Sequence, residues 1–304
     1  MPFQLHISEL KETSAAFSIS GPDANTYLQG QLTQELRGPI GSASYGLWLT
    51  QKGKVLADSM VLRKGENEFR VVSFSISAAV LKERIESYLI ADDVTVVDES
   101  SEWERISVWA EGAAKAVAAV LGEAPGLGKF VETTAGFGFP GRIGAESFEL
   151  LVPAGAGEMT AQKLAAASVH SMDAAAAEAE RIRAGIPAIP IDIGPNDLPN
   201  EGGLDDVAIS YTKGCYLGQE IMARLKNLGQ VRRRLHVIRG VAPAPATSDA
   251  LYQNGKRVGD VRTVARGDDG FFAMAMLSLV NLDPSRSLSL SAEGPAEIQV
   301  VRRV

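Results

Sequence analysis

The chain has 304 residues, 45% of them apolar and 22% charged, which suits a folded protein of two or three domains and excludes a disordered one. A single Cys rules out an internal disulfide and any all-cysteine zinc or iron–sulfur site, and the three His match no metal spacing. A net charge of −7 argues against general nucleic-acid binding.

The opening MPFQLHISELKE has neither a basic start nor an apolar h-region. The longest apolar run, 271–282, is shorter than the ~20 residues a bilayer span needs. The expectation is a soluble cytoplasmic chain with no resident metal, no nucleic-acid partner and no membrane contact.

Gly21-Pro22-Asp23 is a turn, with Asp23 as cap and Ala24, Tyr27, Leu28 and Leu32 at helical spacing. Tyr45–Leu49 and Val55–Leu62 read as strands joined by Gln51-Lys52-Gly53-Lys54, and Glu68–Phe74 as a third strand. A helix capped by Ser77 follows, then a strand at Val94–Val97. This order predicts an antiparallel sheet with helices packed on it. Ile106–Ala110 and Phe148–Val152 read as strands, Ala113–Leu121 and Thr160–Ala167 as helices, and 122–147 as a Gly-rich loop with short strands. Asp173–Ala184 is Ala-rich, starts on Asp and ends on Arg181, Arg183 and Gly185, all helix signals. Gly185 through Gly203 holds four prolines and four glycines, an irregular stretch of the kind that often carries function. Beyond Val231, five short strands, with Asn254-Gly255 as a hairpin turn, predict a small barrel. The expected fold class is α+β, divided as 1–99, 100–180, a motif segment 181–230, and a barrel at 231–304.

The densest chemistry is Lys213-Gly214-Cys215-Tyr216-Leu217-Gly218-Gln219-Glu220, continuing to Arg224. It reads as a loop-to-helix junction. The sole Cys sits beside Lys213, whose charge favours the thiolate where both are exposed; the alternative is a small buried Cys in an ordinary turn. Tyr216 fits either core packing or stacking at a site, and Gln219 and Glu220 equally fit a helix start. Arg224 fits either ligand contact or an i,i+4 pair with Glu220. Between Lys213 and Arg239 lie seven cations against Glu220 alone, which points to an anionic ligand.

Lys213–Glu220 resembles the signature of the YgfZ family of folate-binding proteins, themselves similar to the T-protein aminomethyltransferase of the glycine cleavage system. Arg181-Ile182, Gly185-x-Pro187, Leu198-Pro199-x-Glu201, Ala223-Arg224 and Arg234-Leu235 fall in the family's order. So do Gly21-x-Asp23-Ala24, Tyr27–Gln31 and Gly53–Leu56. The resemblance implies three domains around a central tetrahydrofolate site, with a one-carbon or polyglutamyl form of the cofactor as further possible ligands. It implies support of iron–sulfur cluster assembly or repair, with iron–sulfur proteins or their assembly factors as partners. Cys215 and Lys213 are then the reactive pair, with Cys215 facing the folate cavity. Glu201 becomes the carboxylate on the pterin edge, and Asp58, Tyr216, Gln219, Arg224 and Arg234 further folate contacts. The basic run would meet a polyglutamyl tail. In T-proteins a pair of Asp residues stands where this chain has Ala57-Asp58. Loss of one carboxylate counts against the alternative function, aminomethyl transfer.

Overall fold

A computed structural model of the chain describes residues 3–9, 14–109, 111–143, 146–166, 169–171, 173–241, 243–267 and 269–304. Ala110 and Ala167, expected ends of a strand and a helix, lie outside these. Element by element, the chain begins with β1 (Phe3–Glu9), β2 (Ala15–Ser20), α1 (Ala24–Gln31), β3 (Ala43–Leu49), β4 (Val55–Arg63), β5 (Glu68–Ser73), α2 (Ala78–Glu86) and β6 (Thr95–Asp98). Five of these strands form an antiparallel sheet in the order β3-β4-β5-β2-β6. One face buries Phe17, Ile19, Trp48, Phe69 and Val71 under the apolar stripes of α1 and α2. Asp23 does stand at the N-terminus of α1, but its carboxylate accepts from the Asp93 amide across the turn rather than from the helix.

The second unit comprises β7 (Trp103–Trp109), α3 (Ala113–Leu121), β8 (Val131–Thr133), β9 (Gly136–Pro140), β10 (Ser147–Pro153), α4 (Gly157–Ala165) and β11 (Val169–Ser171). Its sheet runs β11-β1-β7-β10-β9-β8. Two features depart from expectation. The first strand of the chain crosses into this second sheet, and β1 pairs with β11 in parallel. Outward Ile106, Val108, Leu150 and Val152 pack under α3 and α4. The inner faces of the two sheets meet through Ala43, Met60, Leu62, Phe137, Phe139 and Leu151. The result is four layers, helix, sheet, sheet, helix, with a buried seam in the middle.

Helix α5 (Ala174–Arg183) is capped by Asp173, whose carboxylate accepts from the Ala176 amide. The irregular stretch that follows leads through a 3-10 turn at Pro199–Gly202 into the short α6 (Asp205–Ala208), and α7 (Gln219–Leu228) ends the motif segment. Buried acids hold this irregular backbone: Asp192 pairs with Arg181, and Asp197 with Arg233 and Arg262. The last unit is β12 (Arg233–Gly240), β13 (Ala250–Gln253), β14 (Lys256–Gly267), β15 (Gly270–Ser278) and β16 (Gln299–Arg303), ordered β13-β14-β15-β12-β16. Its hairpin turn places Asn254 and Gly255 at φ 51° and 76°, as the two-residue type I′ connection requires. The segment 288–289 bridges to Tyr252 next to one edge and to Ile298 next to the other, drawing the sheet closed. Among the described residues no helix is long and apolar enough to cross a membrane.

Candidate functional site

Where the seam between the two sheets meets the irregular stretch and the end of β16, a cavity of about 730 Å³ opens. Every unit contributes to its wall: Tyr45 and Met60 from the first sheet, Gly141 and Arg142 from the β9–β10 turn, Ile186 and Pro187 after α5, Gly203 and Val207, and Arg302. The wall carries both signs of charge. Glu35 is held ionised, its carboxyl lowered to about 2 by hydrogen bonds from Arg37, while Arg142 and Arg302 bring guanidinium groups.

Beneath the wall lies Asp58. Its place follows from strand alternation: on β4 the side chains of Ala57 and Val61 enter the core under α1 and α2, whereas Met60 and Leu62 enter the seam, the face shared by Asp58. The Asp58 side chain is 1% exposed. One carboxylate oxygen, Oδ2, accepts from the Tyr45 hydroxyl at 2.8 Å and from Arg142 Nη1 at 2.9 Å. The other, Oδ1, is buried with no hydrogen-bond partner among the described residues. Arg142 also lies over the Tyr45 ring, 4.6 Å from its centroid. Burial raises the Asp58 carboxyl above the usual range, outweighing the lowering by Arg142. A ligand in the cavity therefore meets Tyr45 and Arg142 directly and Asp58 through them.

The strand geometry corrects the inference drawn from Ala57. That residue is fully buried on the helix side of the sheet. An aspartate there would point away from the cavity, so its absence removes no cavity-facing carboxylate.

Opposite Asp58, the inner face of the second sheet carries a second buried acid. Glu149 on β10 stands across from Ser107 on β7, whose hydroxyl donates to Oε2 at 2.7 Å, and Arg105 Nε lies 3.5 Å from the same oxygen. Burial raises this carboxyl too, against the opposing charges of Arg105 and Arg142.

The motif serves a different place. Lys213 is 6% exposed, and its ammonium donates to the carbonyls of Leu32 and Gln34 at 2.8 and 2.7 Å. Burial lowers it to about 8. The expected Lys213–Cys215 couple is thereby corrected: the charge is spent on backbone oxygens. Cys215 is exposed and does not line the central cavity. Tyr216 is core, packed with Leu47, Leu49 and Met222, its buried hydroxyl without a partner among the described residues. Gln219 opens α7 and Arg224 is exposed on it, both away from the cavity wall. Gly53 and Gly218 explain the fit of α7 onto the β3–β4 hairpin. Both have positive φ, and a Cβ on Gly53 would come within 2.9 Å of Ile221, one on Gly218 within 2.8 Å of the Thr50 carbonyl.

Glu201 is likewise committed. Its carboxylate accepts from the Leu198 amide at 2.7 Å and from Arg233 Nε at 2.8 Å, fastening the turn that carries Gly202 and Gly203 to the barrel. It does not line the cavity, so the geometry gives it an anchoring role in place of the expected pterin contact. Arg234 donates to the Val304 carbonyl at 2.7 Å. With Arg233 on Glu201 and Asp197 and Arg239 on Gln299, much of the basic run is spent within the fold. It does not form one anion-binding face.

Of the expected site residues, then, only Asp58 belongs to the buried cluster at the cavity. Tyr45, Arg105, Ser107, Arg142 and Glu149 were missed. A polar Ser and Glu on strands otherwise rich in apolar residues, at Ser107 and Glu149, were the available signal; Tyr45 and Arg142 gave none.

Comparison with known proteins agrees with this architecture. The family model described as the GCVT N-terminal domain matches residues 11–213, and that of the CAF17 C-terminal beta-barrel domain matches 232–302. The chain is 28% identical to the tRNA-modifying protein YgfZ of Serratia proteamaculans over 301 residues, covering 95% of this chain and 89% of that one. It is 26% identical to that of Escherichia coli over 284 residues, covering 89% and 84%. Among solved structures, the glycine cleavage system aminomethyltransferase T from Bartonella henselae superposes with a TM-score of 0.79 at 21% identity, over 94% of this chain and 81% of that one. A T-protein-like α+β body ending in a CAF17-type barrel, matched along nearly its whole length by YgfZ proteins, places the chain in the YgfZ/CAF17 family.

Proposed function

We propose that the chain binds a reduced folate in the central cavity and acts as an accessory factor in iron–sulfur cluster assembly or repair. The observation that carries the folate reading is the cavity itself: about 730 Å³, within the size range of small-molecule sites, walled by every unit of the fold. Its chemistry fits the ligand at both ends. Glu35 is ionised and, with Oε1 taken by Gln29 and Arg37, would offer Oε2, which meets Arg37 Nη2 alone, to the N–H edge of a pterin. Arg142 and Arg302 are donors for the glutamate carboxylates. Tyr45 and Met60 give the ring system an apolar wall. Tetrahydrofolate would supply carriage of a one-carbon unit. The chain's own residues bind and orient it, with Asp58 fixing the Tyr45 hydroxyl and the Arg142 guanidinium that face it.

Cluster support is carried by Cys215, displayed on the outer surface while Lys213 and Tyr216 fasten the motif to the first sheet. In this reading folate and thiol act at separate places. The relatives' name concerns tRNA modification; a chain of net charge −7 has little general attraction for RNA phosphates, so an indirect role through cluster-containing enzymes suits it better. Aminomethyl transfer stands as a second reading, favoured by the buried Asp58 behind Tyr45 and Arg142 of the cavity wall.

Calorimetry with tetrahydrofolate tests the ligand. Arg142→Leu and Glu35→Gln should each weaken binding by about tenfold or more; wild-type affinity in both variants would overturn the assignment. Methylene-tetrahydrofolate formation from an aminomethylated carrier decides for transfer. Rescue of cluster-enzyme activity in a deletion strain by wild type but not by Cys215→Ser decides for the accessory role.

A further inference from the structure

Two apolar side chains on the wall of the central cavity face solvent rather than core. Leu127 is 97% exposed, and Val207 on α6 is 58% exposed. Among the described residues no large apolar side chain is more exposed than Leu127. Single hydrophobic residues on a surface are ordinary. These two, however, come from separate units of the fold and line one cavity.

The backbone holds Leu127 in that place. It sits in a turn closed by the Lys129 amide, which donates to the Gly126 carbonyl at 3.0 Å. The turn is fastened to the first sheet: the Ala43 amide donates to the Gly128 carbonyl at 2.9 Å, and the Phe130 amide to the Gly41 carbonyl at 3.0 Å. Gly128 stands at φ 67°, a conformation that glycine takes without strain. So fixed, the leucine side chain leaves water when something fills the cavity beside it.

We propose that Leu127 and Val207 grip the uncharged middle of the cavity's ligand, so that the site selects a molecule with an aromatic arm over one with a polar head alone. The inference rests on the folate reading, under which that middle is the aminobenzoyl ring between pterin and glutamate. The charged wall groups Glu35, Arg142 and Arg302 suit the two polar ends. The apolar pair suits the ring, which gives up no hydrogen bond on leaving water. Burying roughly half of the Leu127 side chain accounts for about tenfold in affinity. The gain shows chiefly as slower release of the ligand.

The test uses the whole chain and two ligands: tetrahydrofolate, and 6-methyltetrahydropterin, the reduced head without the arm. Calorimetry gives the affinity of the first, its displacement that of the second, and stopped flow the release rate. Leu127→Ser should weaken tetrahydrofolate by about tenfold, mostly through faster release, and change 6-methyltetrahydropterin by less than about twofold. Leu127→Met should keep tetrahydrofolate within about twofold of wild type. Val207→Ser should follow the pattern of Leu127→Ser with a smaller loss. The melting temperature of Leu127→Ser should stay within about 2 °C of wild type, because the side chain it replaces is exposed. Unchanged tetrahydrofolate affinity in Leu127→Ser overturns the proposal, and so does an equal loss for both ligands. A larger fall in melting temperature would show that Leu127 serves the fold, and overturns it too. Failure of tetrahydrofolate to bind the wild type would instead refute the folate reading, and this inference with it.

Discussion

Asp58→Asn tests the buried cluster beside the cavity. The substitution keeps the shape and an oxygen for the Tyr45 hydroxyl, and removes the charge that Arg142 Nη1 meets at 2.9 Å. A hydrogen bond between charged groups contributes ~1.5–3 kcal/mol. Burial nevertheless holds the Asp58 carboxyl above its usual range, so its charge already weakens the fold at neutral pH; with the Arg142 side chain 17% exposed and partly solvated, Asp58→Asn should leave stability unchanged or raise it. Asp58→Ala instead strands the Tyr45 hydroxyl and should cost ~3–5 kcal/mol, as for a broken buried pair. Arg142→Met removes the guanidinium that favours the ionised carboxyl, and the Asp58 carboxyl then rises further above its usual range. The folded state binds a proton that the unfolded state has lost over a wider pH window, so the penalty of Arg142→Met grows with rising pH and vanishes where Asp58 is protonated in both states. Urea unfolding followed by tryptophan fluorescence, run as a double-mutant cycle at about pH 5 and about pH 8, measures both effects. A coupling below ~0.5 kcal/mol, or an Arg142→Met penalty equal at the two pH values, would refute the reasoning.

Lys213→Met should cost ~2–3 kcal/mol by leaving the Leu32 and Gln34 carbonyls unpaired; a neutral effect in denaturant unfolding would remove its anchoring role. In the wild type, because burial lowers this ammonium from 10.5 to about 8, its contribution should improve as the pH rises between those values, the unfolded state holding the extra proton. Cys215 should alkylate at the rate of an exposed thiol with no slowing by tetrahydrofolate, and Cys215→Ser should shift stability by less than ~0.5 kcal/mol; protection by folate would place the thiol in the cavity after all. Gly218→Ala, at φ 85° and facing the Thr50 carbonyl, should cost at least ~1–3 kcal/mol in thermal unfolding, and an unchanged melting temperature would show that α7 does not dock on the hairpin.

Local pattern made most elements legible. Ala113–Leu121 and Ala250–Gln253 were bounded in the sequence as they stand in the structure, because capping glycines and the Asn254-Gly255 turn are short-range signals. The crossing of β1 into the second sheet was not legible, since its partners Glu104–Trp109 lie about a hundred residues away and strand pairing leaves no mark on either strand alone. The same limit hid the site. Asp58 drew attention through its neighbours in sequence, but its partners Tyr45 and Arg142 come from another strand and another sheet. Glu201 and Lys213 show the converse: each is a conspicuous charged residue in a distinctive motif, and each is engaged by a hydrogen bond that only the fold brings within reach.

The division between motif and cavity follows from what each must do. A buried ammonium on two carbonyls, glycines at close approach and a core tyrosine are devices for fixing one segment against another, and they leave Cys215 outward on a rigid base. The cavity cluster has the opposite character. It holds an unpartnered carboxylate oxygen, two carboxyls raised by burial and a guanidinium shared between them, an arrangement that costs stability. A fold selected for stability alone would fill such a seam with apolar side chains, as Met60, Phe139 and Leu151 do beside it. Asp58, Arg142 and Glu149 thus mark where the seam gives up apolar packing for buried polar groups, whereas Lys213, Tyr216 and Gly218 mark where packing fastens the segment that carries the exposed Cys215.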